Sequence, residues 1–373
     1  MAKLLPDPLR SSALVRELRT LVTPGPRMAD EWACVASVML AIVLAHAIGA
    51  SMVSWAAFSA FVLLKSDIAE TLLRGVMRIV GTALGSALAL AVVPHAATST
   101  PLAMLAAALV GALGLYGMLT ARRAYAWLLF GLTFEMILLD KIARPDLDTF
   151  GFARTRLLEV VAGTLACTAV SLVAGALAGK RWWADRKPAP ERMRWHPHAA
   201  RHAAQAGLAI ATLPLLHALF GLPELPQAAV TIMAVMIVPV AGIGASGFVP
   251  VSRRLLHRAL GCIAGGALAL AVLLLAQGSA PVLIAGTCIG IVLGRHIENG
   301  VSAATYIGLQ FTLAVLVVLV PDSYADARIG PAVQRLVSVL VGMAVLEPVL
   351  LGWHLLAPRS GTGSVASPGP NAE

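Results

Sequence analysis

Two pairs of arginines stand ahead of apolar helices in which glycine recurs on the arginine face. In "RGVMRIVGTALG", Arg74 and Arg78 precede Gly81 and Gly85. The stretch "RLLHRALGCIAGG" repeats the spacing with Arg254, Arg258, Gly261 and Gly265. Residues at i, i+4, i+7 and i+11 share one face of a helix. Arginine stays charged at any working pH, and its planar fork fits a carboxylate. The four arginines are therefore candidate ligands of an organic anion.

The glycines bear on where these arginines point. A Gly-x-x-x-Gly spacing lets a neighbouring helix approach closely, so we expect the arginines to face a packed neighbour and not lipid. At the cytoplasmic mouth of their helices, they would attract an anion. The alternative is that they are topology anchors, which extend to the inner headgroups.

A second recurring pattern lies near the predicted outer surface. Arg156 precedes Gly163 by seven residues, and Arg335 precedes Gly342 by the same spacing. Glu159 lies one turn from Arg156. We predict an outer gate of Arg156, Glu159 and Arg335. Its arginines would either contact the substrate on exit or pair with nearby aspartates. Those aspartates are Asp146, Asp148, Asp322 and Asp326. A purely structural ion pair is the alternative.

One carboxylate is predicted deep in the membrane. Counted from Arg123 at about 1.5 Å per residue, Glu135 lies about 18 Å along its helix. An ionisable residue at that depth is a functional hypothesis, because burial of its charge is costly. Glu135 is the predicted proton-coupling residue. The alternative is a protonated side chain that bonds to a neighbouring helix, and an alignment of "LTFE" with "LQFT" puts Thr312 at the repeat position.

Composition identifies the elements that must position these residues. Hydrophobic residues make up 58% of the chain and charged residues only 13%, against about 25% charged in soluble domains. Repeated apolar runs of about 20 residues predict an all-α polytopic membrane protein. The net charge of +9 comes from basic residues in short loops, as membrane topology requires, so we predict no nucleic-acid partner.

The recurring motifs predict about twelve transmembrane helices in two parallel six-helix repeats. The repeats are 31–178 and 203–356. A segment at 1–30 with an interfacial helix precedes them, a basic cytoplasmic linker at 179–202 joins them, and a disordered tail at 357–373 follows. Most of the 28 Lys and Arg residues then lie inside, which predicts an inner-membrane protein with both termini cytoplasmic.

The sequence carries none of the common catalytic motifs. The chain has no GxxxxGKS/T, HExxH or GxSxG, and no paired metal-ligand cluster. Its four cysteines lie inside apolar segments without a CxxC. We therefore predict neither an enzyme nor an ATP-driven pump, and no cofactor or metal.

The motifs resemble a known family. "RGVMRIVGTALGSALAL" and "RTRLLEVVAGTLACTAVSLV" are similar to the Arg/Gly helix and the closing helix of the fusaric acid resistance and aromatic acid exporter superfamily. The second half resembles them more weakly, with Cys262 for threonine and Ser338 for glutamate. The resemblance implies inner-membrane efflux of aromatic carboxylic acids and, in Gram-negative members, a periplasmic membrane-fusion adaptor. Many members also carry a large cytoplasmic domain, which the short linker here cannot supply.

We therefore predict an inner-membrane secondary exporter of organic, aromatic carboxylic anions that is coupled to protons. Its partners would be the small anion, the lipid bilayer, a periplasmic adaptor and further copies of the chain in a homo-oligomer. Two alternatives remain open at the level of sequence. One is a non-transporting membrane scaffold for envelope stress, and the other is a passive anion channel.

Overall fold

The structure, a computed structural model, describes residues 20–179, 195–222, 225–244, 247–300, 305–321 and 329–356. From Pro26 onward these residues form twelve α-helices and a short 3-10 helix. The first six are α1 Pro26–Ala47, α2 Val53–Leu63, α3 Ile68–Ala96, α4 Thr100–Thr120, α5 Ala124–Ala143 and α6 Thr149–Leu177. The next six are α7 Pro197–Phe220, α8 Pro226–Val235, α9 Phe248–Ala276, α10 Ala280–Glu298, α11 Thr305–Leu319 and α12 Ile329–Leu356. The predicted interfacial helix before residue 20 and the predicted tail lie outside the described residues.

The lengths and composition of these helices make the chain a multi-pass membrane protein. Eight of the described helices are long and apolar enough to cross a bilayer. Three more, α2, α8 and α11, are apolar but shorter. The remaining helix, α5, carries Glu135, Asp140 and Lys141. The predicted total of twelve crossings stays a prediction.

The two arginine-bearing helices begin about two turns earlier than the sequence predicts. We expected Arg74 and Arg254 to precede their helices, whereas α3 begins at Ile68 and α9 at Phe248. Asp67 caps α3, because its Oδ1 accepts a hydrogen bond from the Ala69 amide at 2.8 Å. Ten residues of helix, about 15 Å, therefore precede each of Arg78 and Arg258. These two arginines lie well inside their helices. Their predicted position at the cytoplasmic mouth of the membrane stays a prediction.

Glycines bring the helices of each half into close contact. A Cβ added at Gly81 or Gly85 would collide with a backbone carbonyl oxygen of α5. A Cβ at Gly261 or Gly265 would collide in the same way with α11. Gly163 packs α6 onto the backbone of α2 at Ala56, and Gly342 packs α12 onto α8 at Ala228. The glycine stripes thus fix which helix lies beside the arginines.

The pairing of helices recurs from one half of the chain to the other. Helix α3 packs on α5 and α2 on α6, and α9 packs on α11 and α8 on α12. Contacts across the halves are reciprocal: α4 packs on α7 as α10 packs on α1, and α5 packs on α8 as α11 packs on α2. These reciprocal contacts enclose the space between the halves.

Candidate functional site

A cavity of about 460 Å³ lies between the halves and is lined by helices from both. Most of its wall is aliphatic or aromatic. The charged side chains of its lining are four arginines and one glutamate, namely Arg78, Arg156, Arg254, Arg258 and Glu159. Five of the predicted site residues therefore meet in one place, although the sequence assigned them to opposite ends of the membrane.

Arg78 is buried on the first side of the cavity. Its Nε donates to the Ser59 hydroxyl at 3.1 Å, and its Nη1 donates to the Tyr125 hydroxyl at 2.7 Å. Ser59 in turn donates to the Trp55 carbonyl at 2.8 Å, so its oxygen is free to accept from the guanidinium. The guanidinium is thus oriented by neutral oxygens from α2 and α5.

Arg258 has a matching environment on the second side. Its Nη1 donates to Gln310 Oε1 at 2.6 Å, and its Nη2 donates to the Thr231 hydroxyl at 3.1 Å. Thr231 donates to the Gln227 carbonyl at 2.7 Å. A hydroxyl from α8 and an amide from α11 therefore hold Arg258, as hydroxyls from α2 and α5 hold Arg78.

The first arginines of the two pairs, Arg74 and Arg254, differ from each other in their surroundings. The Arg254 guanidinium lies 4.1 Å above the centre of the Tyr306 ring, and its Nη2 donates to the Ala234 carbonyl at 3.3 Å. Arg74 does not line the cavity. It is one-third exposed and pairs with Glu70 at 3.0 Å. The predicted equivalence of Arg74 and Arg254 therefore fails, because a carboxylate one turn away holds Arg74 outside.

No carboxylate of the described residues forms an ion pair that balances the charges of Arg78, Arg254 and Arg258. Arg78 and Arg258 are 8% and 4% exposed. Removing a charge from water costs several kcal/mol unless an opposite charge compensates it. The cavity is therefore an electropositive site with apolar walls.

Arg156 and Glu159 form an ion pair that also lines this cavity. Arg156 Nη1 lies 3.1 Å from Glu159 Oε2, and the guanidinium is stacked between the rings of Trp55 and Phe152. Glu159 Oε1 accepts from the Met52 amide at 3.0 Å. Among the described residues, the ion-pair partner of Arg156 is thus Glu159 and neither Asp146 nor Asp148.

The other residues of the predicted outer gate are placed only in part. Asp148 caps α6 by accepting from the Phe150 amide at 3.1 Å. Asp322, Asp326 and the side chain of Arg335 lie outside what the structure describes.

Glu135 lies apart from the cavity. Its side chain is fully buried, and neither carboxyl oxygen has a hydrogen-bond partner among the described residues. It faces Gly111 of α4, at a point where Ile210 of α7 also packs. Glu135 therefore sits where helices of the two halves meet.

The glycine contacts correct the repeat alignment at this position. Gly81 meets Ala126 as Gly261 meets Ile307. On that register Glu135 corresponds to Leu316, and the alignment with Thr312 is wrong. The same register pairs Tyr125 with Tyr306, two aromatic residues that line the cavity and that the sequence analysis missed.

A buried ion cluster between α1 and α10 was also missed. Arg295 makes a two-pronged contact with Asp30, Nε to Oδ2 at 2.7 Å and Nη2 to Oδ1 at 3.2 Å. It pairs with Glu298 at 3.1 Å, and His296 Nδ1 lies 2.7 Å from Glu31 Oε1. We call these five residues the α1–α10 ion cluster. Acidic residues early in α1 and "GRHIE" at the end of α10 were the available signal.

The loop beside this cluster is bound to it. The Leu64 carbonyl accepts from Arg295 Nη2 at 3.2 Å. Burial lowers the pKa of Lys65 in this loop, because the charged ammonium is disfavoured away from water. The cluster thus joins the second half to the α2–α3 connection as well as to α1.

Comparison with known proteins bears on the first half of this site. Residues 34–181 match the fusaric acid resistance protein family. The matched segment runs from α1 to the end of α6 and so contains Arg78, Ser59, Tyr125, Arg156 and Glu159. The resemblance to the fusaric acid resistance family is confirmed for this segment. No curated protein and no solved structure matches the chain.

Proposed function

We propose that this chain is an inner-membrane secondary exporter of organic anions that binds its substrate in the cavity between the halves. The observation that carries the proposal is the set of three arginines, Arg78, Arg254 and Arg258, which line one cavity and form no ion pair with a carboxylate in the part of the chain that the structure describes. A bound anion would supply the missing charge. Export is the direction that the family match favours.

The apolar wall defines the rest of the substrate. Trp55, Tyr125 and Tyr306 line the cavity together with aliphatic side chains. Such a surface favours an apolar body over a small hydrated inorganic ion. Aromatic carboxylic acids combine a carboxylate for the arginines with a ring for these walls.

The architecture that we propose is twelve spans in two parallel six-helix repeats, with both termini cytoplasmic. Reciprocal helix contacts and the recurring glycine contacts support a pseudo-two-fold relation between the halves. The loop charges support the orientation. Alternating access would come from rocking of one half against the other about the cavity. A periplasmic adaptor and a homo-oligomer remain predictions.

Proton coupling is assigned to Glu135. Its support is position, because the carboxyl is fully buried beside Gly111 of α4, at a point where Ile210 of α7 also packs. Burial disfavours the ionised form of a carboxyl group, and protonation removes that energetic cost. Gain or loss of one proton would therefore change the stability of an interface that must move during transport.

The proposal is tested by flux into proteoliposomes. With 4-hydroxybenzoate as substrate and an imposed pH gradient, we expect flux in the wild type and at least a tenfold loss in Arg258→Gln. Arg74→Gln is the matched control, because Arg74 lies outside the cavity, and we expect its flux to stay within about twofold. Absence of flux in folded wild-type protein for a panel of aromatic acids would leave the scaffold alternative.

A passive anion channel is the second candidate, because Arg78, Arg254 and Arg258, which form no ion pair with any described carboxylate, would also suit a channel. The two differ in their driving force. A channel would pass a current that follows voltage and ignores the pH gradient, whereas the exporter would accumulate substrate against its concentration gradient.

A further inference from the structure

The wall of the cavity that α9 forms beyond Arg258 is apolar along its whole length. Its lining residues there are Cys262, Ile263, Gly266, Ala267, Leu270 and Leu273. From Arg258 to Leu273 the helix rises about 22 Å. The facing part of α12 contributes Val333, Leu336 and Val339. In the second half, the cavity is therefore charged near Arg258 and apolar along the rest of α9, as far as Leu273. We call this apolar part of the cavity the extension.

This apolar extension reaches the outer surface of the molecule. Three of its lining residues, Ile263, Leu270 and Val333, are 57%, 42% and 51% exposed. In a multi-pass membrane protein, apolar side chains exposed at this level face the acyl chains of the bilayer. The gap between α9 and α12 therefore connects the cavity with lipid.

The gap is a local departure from the repeat. A Cβ at Gly266 would find Leu336 Cδ2 at 3.8 Å, which is ordinary contact with no close approach of the two helices. In the first half, a Cβ at Gly75 of α3 would lie only 2.7 Å from Thr164 Cγ2 of α6. The contact between α3 and α6 is also larger than that between their counterparts α9 and α12, which leave room for a ligand.

We propose that the extension holds the long apolar chain of an amphiphilic monoanion whose headgroup binds at Arg78 and Arg258, and that the α9–α12 gap is its portal to the bilayer. This inference rests on the proposed anion site and specifies its ligand. A single-ring acid would occupy the charged level and leave the extension unfilled. A long acyl chain would cover the apolar wall and displace nothing polar.

The volume agrees with a ligand of this size. Pockets for small-molecule ligands run from about 300 to 1,000 Å³, and this cavity measures about 460 Å³. The charges agree as well. The Arg156–Glu159 pair neutralises itself on the first side, so that the net positive charge of the cavity remains at the level of Arg78, Arg254 and Arg258.

The test compares palmitate with benzoate as ligands of the purified protein in lipid nanodiscs, with empty nanodiscs subtracted. We expect palmitate to bind at least tenfold more tightly than benzoate. Ala267→Trp, which fills the extension, should weaken palmitate at least tenfold and leave benzoate within about twofold. Leu274→Trp is the matched control on the same helix, since Leu274 is exposed to lipid and does not line the cavity.

The outcomes separate this inference from the function that it builds on. If Arg258→Gln removes binding of both ligands but Ala267→Trp changes neither, the anion site stands and the extension is refuted. If Arg258→Gln changes neither, both proposals fall. Where Ala267→Trp does not fold, a palmitate analogue with a diazirine on its chain replaces it. We expect cross-links concentrated in α9 and α12, and uniform labelling of all lipid-facing helices would overturn the portal.

Discussion

Neutral oxygens surround the buried arginines of the cavity, and this choice of partner keeps their charge available. Ser59 and Tyr125 orient Arg78, and Thr231 and Gln310 orient Arg258. A carboxylate at the same distance would orient the guanidinium equally well but would cancel its field, as Glu159 does for Arg156. Orientation without neutralisation is what a reversible anion site requires.

This reasoning predicts the effect of Gln310→Glu. The new carboxylate would lie where an amide oxygen now accepts from Arg258 at 2.6 Å, so it would compete with the substrate for the guanidinium. We expect anion affinity to fall at least tenfold, about 1.4 kcal/mol, with no loss in melting temperature. Binding and thermal unfolding measured on the same sample check both.

Gln310→Asn controls for that substitution, because it shortens the side chain without adding charge. If Asn weakens binding as much as Glu, the geometry of the amide matters and not its neutrality.

Sequence reasoning at this scale found the cations and missed their partners. Arg78, Arg254 and Arg258 were identifiable because charge is conspicuous inside an apolar helix. Ser59 and Thr231 were not, since a hydroxyl in an apolar helix usually bonds to its own backbone. Arg74 was misplaced although Glu70, one turn before it, was readable as an i,i+4 partner.

At the scale of helices, the two reciprocal interfaces across the halves differ in chemistry. Helices α4 and α7 meet through small residues, such as Gly207 packed on the Ala108 carbonyl. Helices α1 and α10 meet through the α1–α10 ion cluster, in which Arg295 is 4% and Glu31 is 1% exposed. One interface is held by close packing and the other by buried charge, so the two respond to different changes.

We predict that Arg295→Gln destabilises the protein strongly. It leaves Asp30 and Glu298 without their cation, and breaking a buried pair costs about 3–5 kcal/mol. Arg144→Gln is the matched control, because the Arg144 side chain is 55% exposed in its pair with Asp140 and surface changes stay within about 0.5 kcal/mol. Thermal unfolding in detergent measures both. Equal melting temperatures for the two variants would show that the cluster does not hold α1 to α10.

The glycine contacts make a prediction that compares one added methyl group at two places. Gly85→Ala would push a Cβ into the backbone carbonyl of Phe130, whereas Gly266→Ala would meet Leu336 at an ordinary distance. Overpacking costs about 1–3 kcal/mol, so we expect Gly85→Ala to unfold at lower denaturant and Gly266→Ala to match the wild type. A similar loss in both would mean that α9 and α12 pack as closely as α3 and α5.

The order of the helices was predictable from sequence, and several of their starts were not. Apolar runs and loop charges gave the number of elements in each half. The starts of α3 and α9 were placed at the arginines because a charge in an apolar run is read as a membrane boundary. Asp67 caps α3 two turns earlier, and the arginines are tolerated inside because polar side chains of α2, α5, α8 and α11 meet them.

At the scale of the whole molecule, the predicted coupling residue Glu135 lies away from the cavity. Substrate binding and proton coupling should therefore depend on different residues. Glu135 does not line the cavity and lies beside Gly111 of α4, where Ile210 of α7, a helix of the other half, also packs. A residue in that position can change how the halves move without touching the ligand. Binding and coupling should therefore be separable by mutation.

We expect Glu135→Gln to bind substrate within about twofold of the wild type, because the arginines and their partners are untouched. Accumulation driven by a pH gradient should be lost, since glutamine keeps the shape of a protonated glutamate and exchanges no proton. Exchange of labelled for unlabelled 4-hydroxybenzoate at equal pH should persist. Gradient-driven accumulation that survives the substitution would move the coupling proton to another group, and Glu159, the carboxylate that lines the cavity, would be the next to replace.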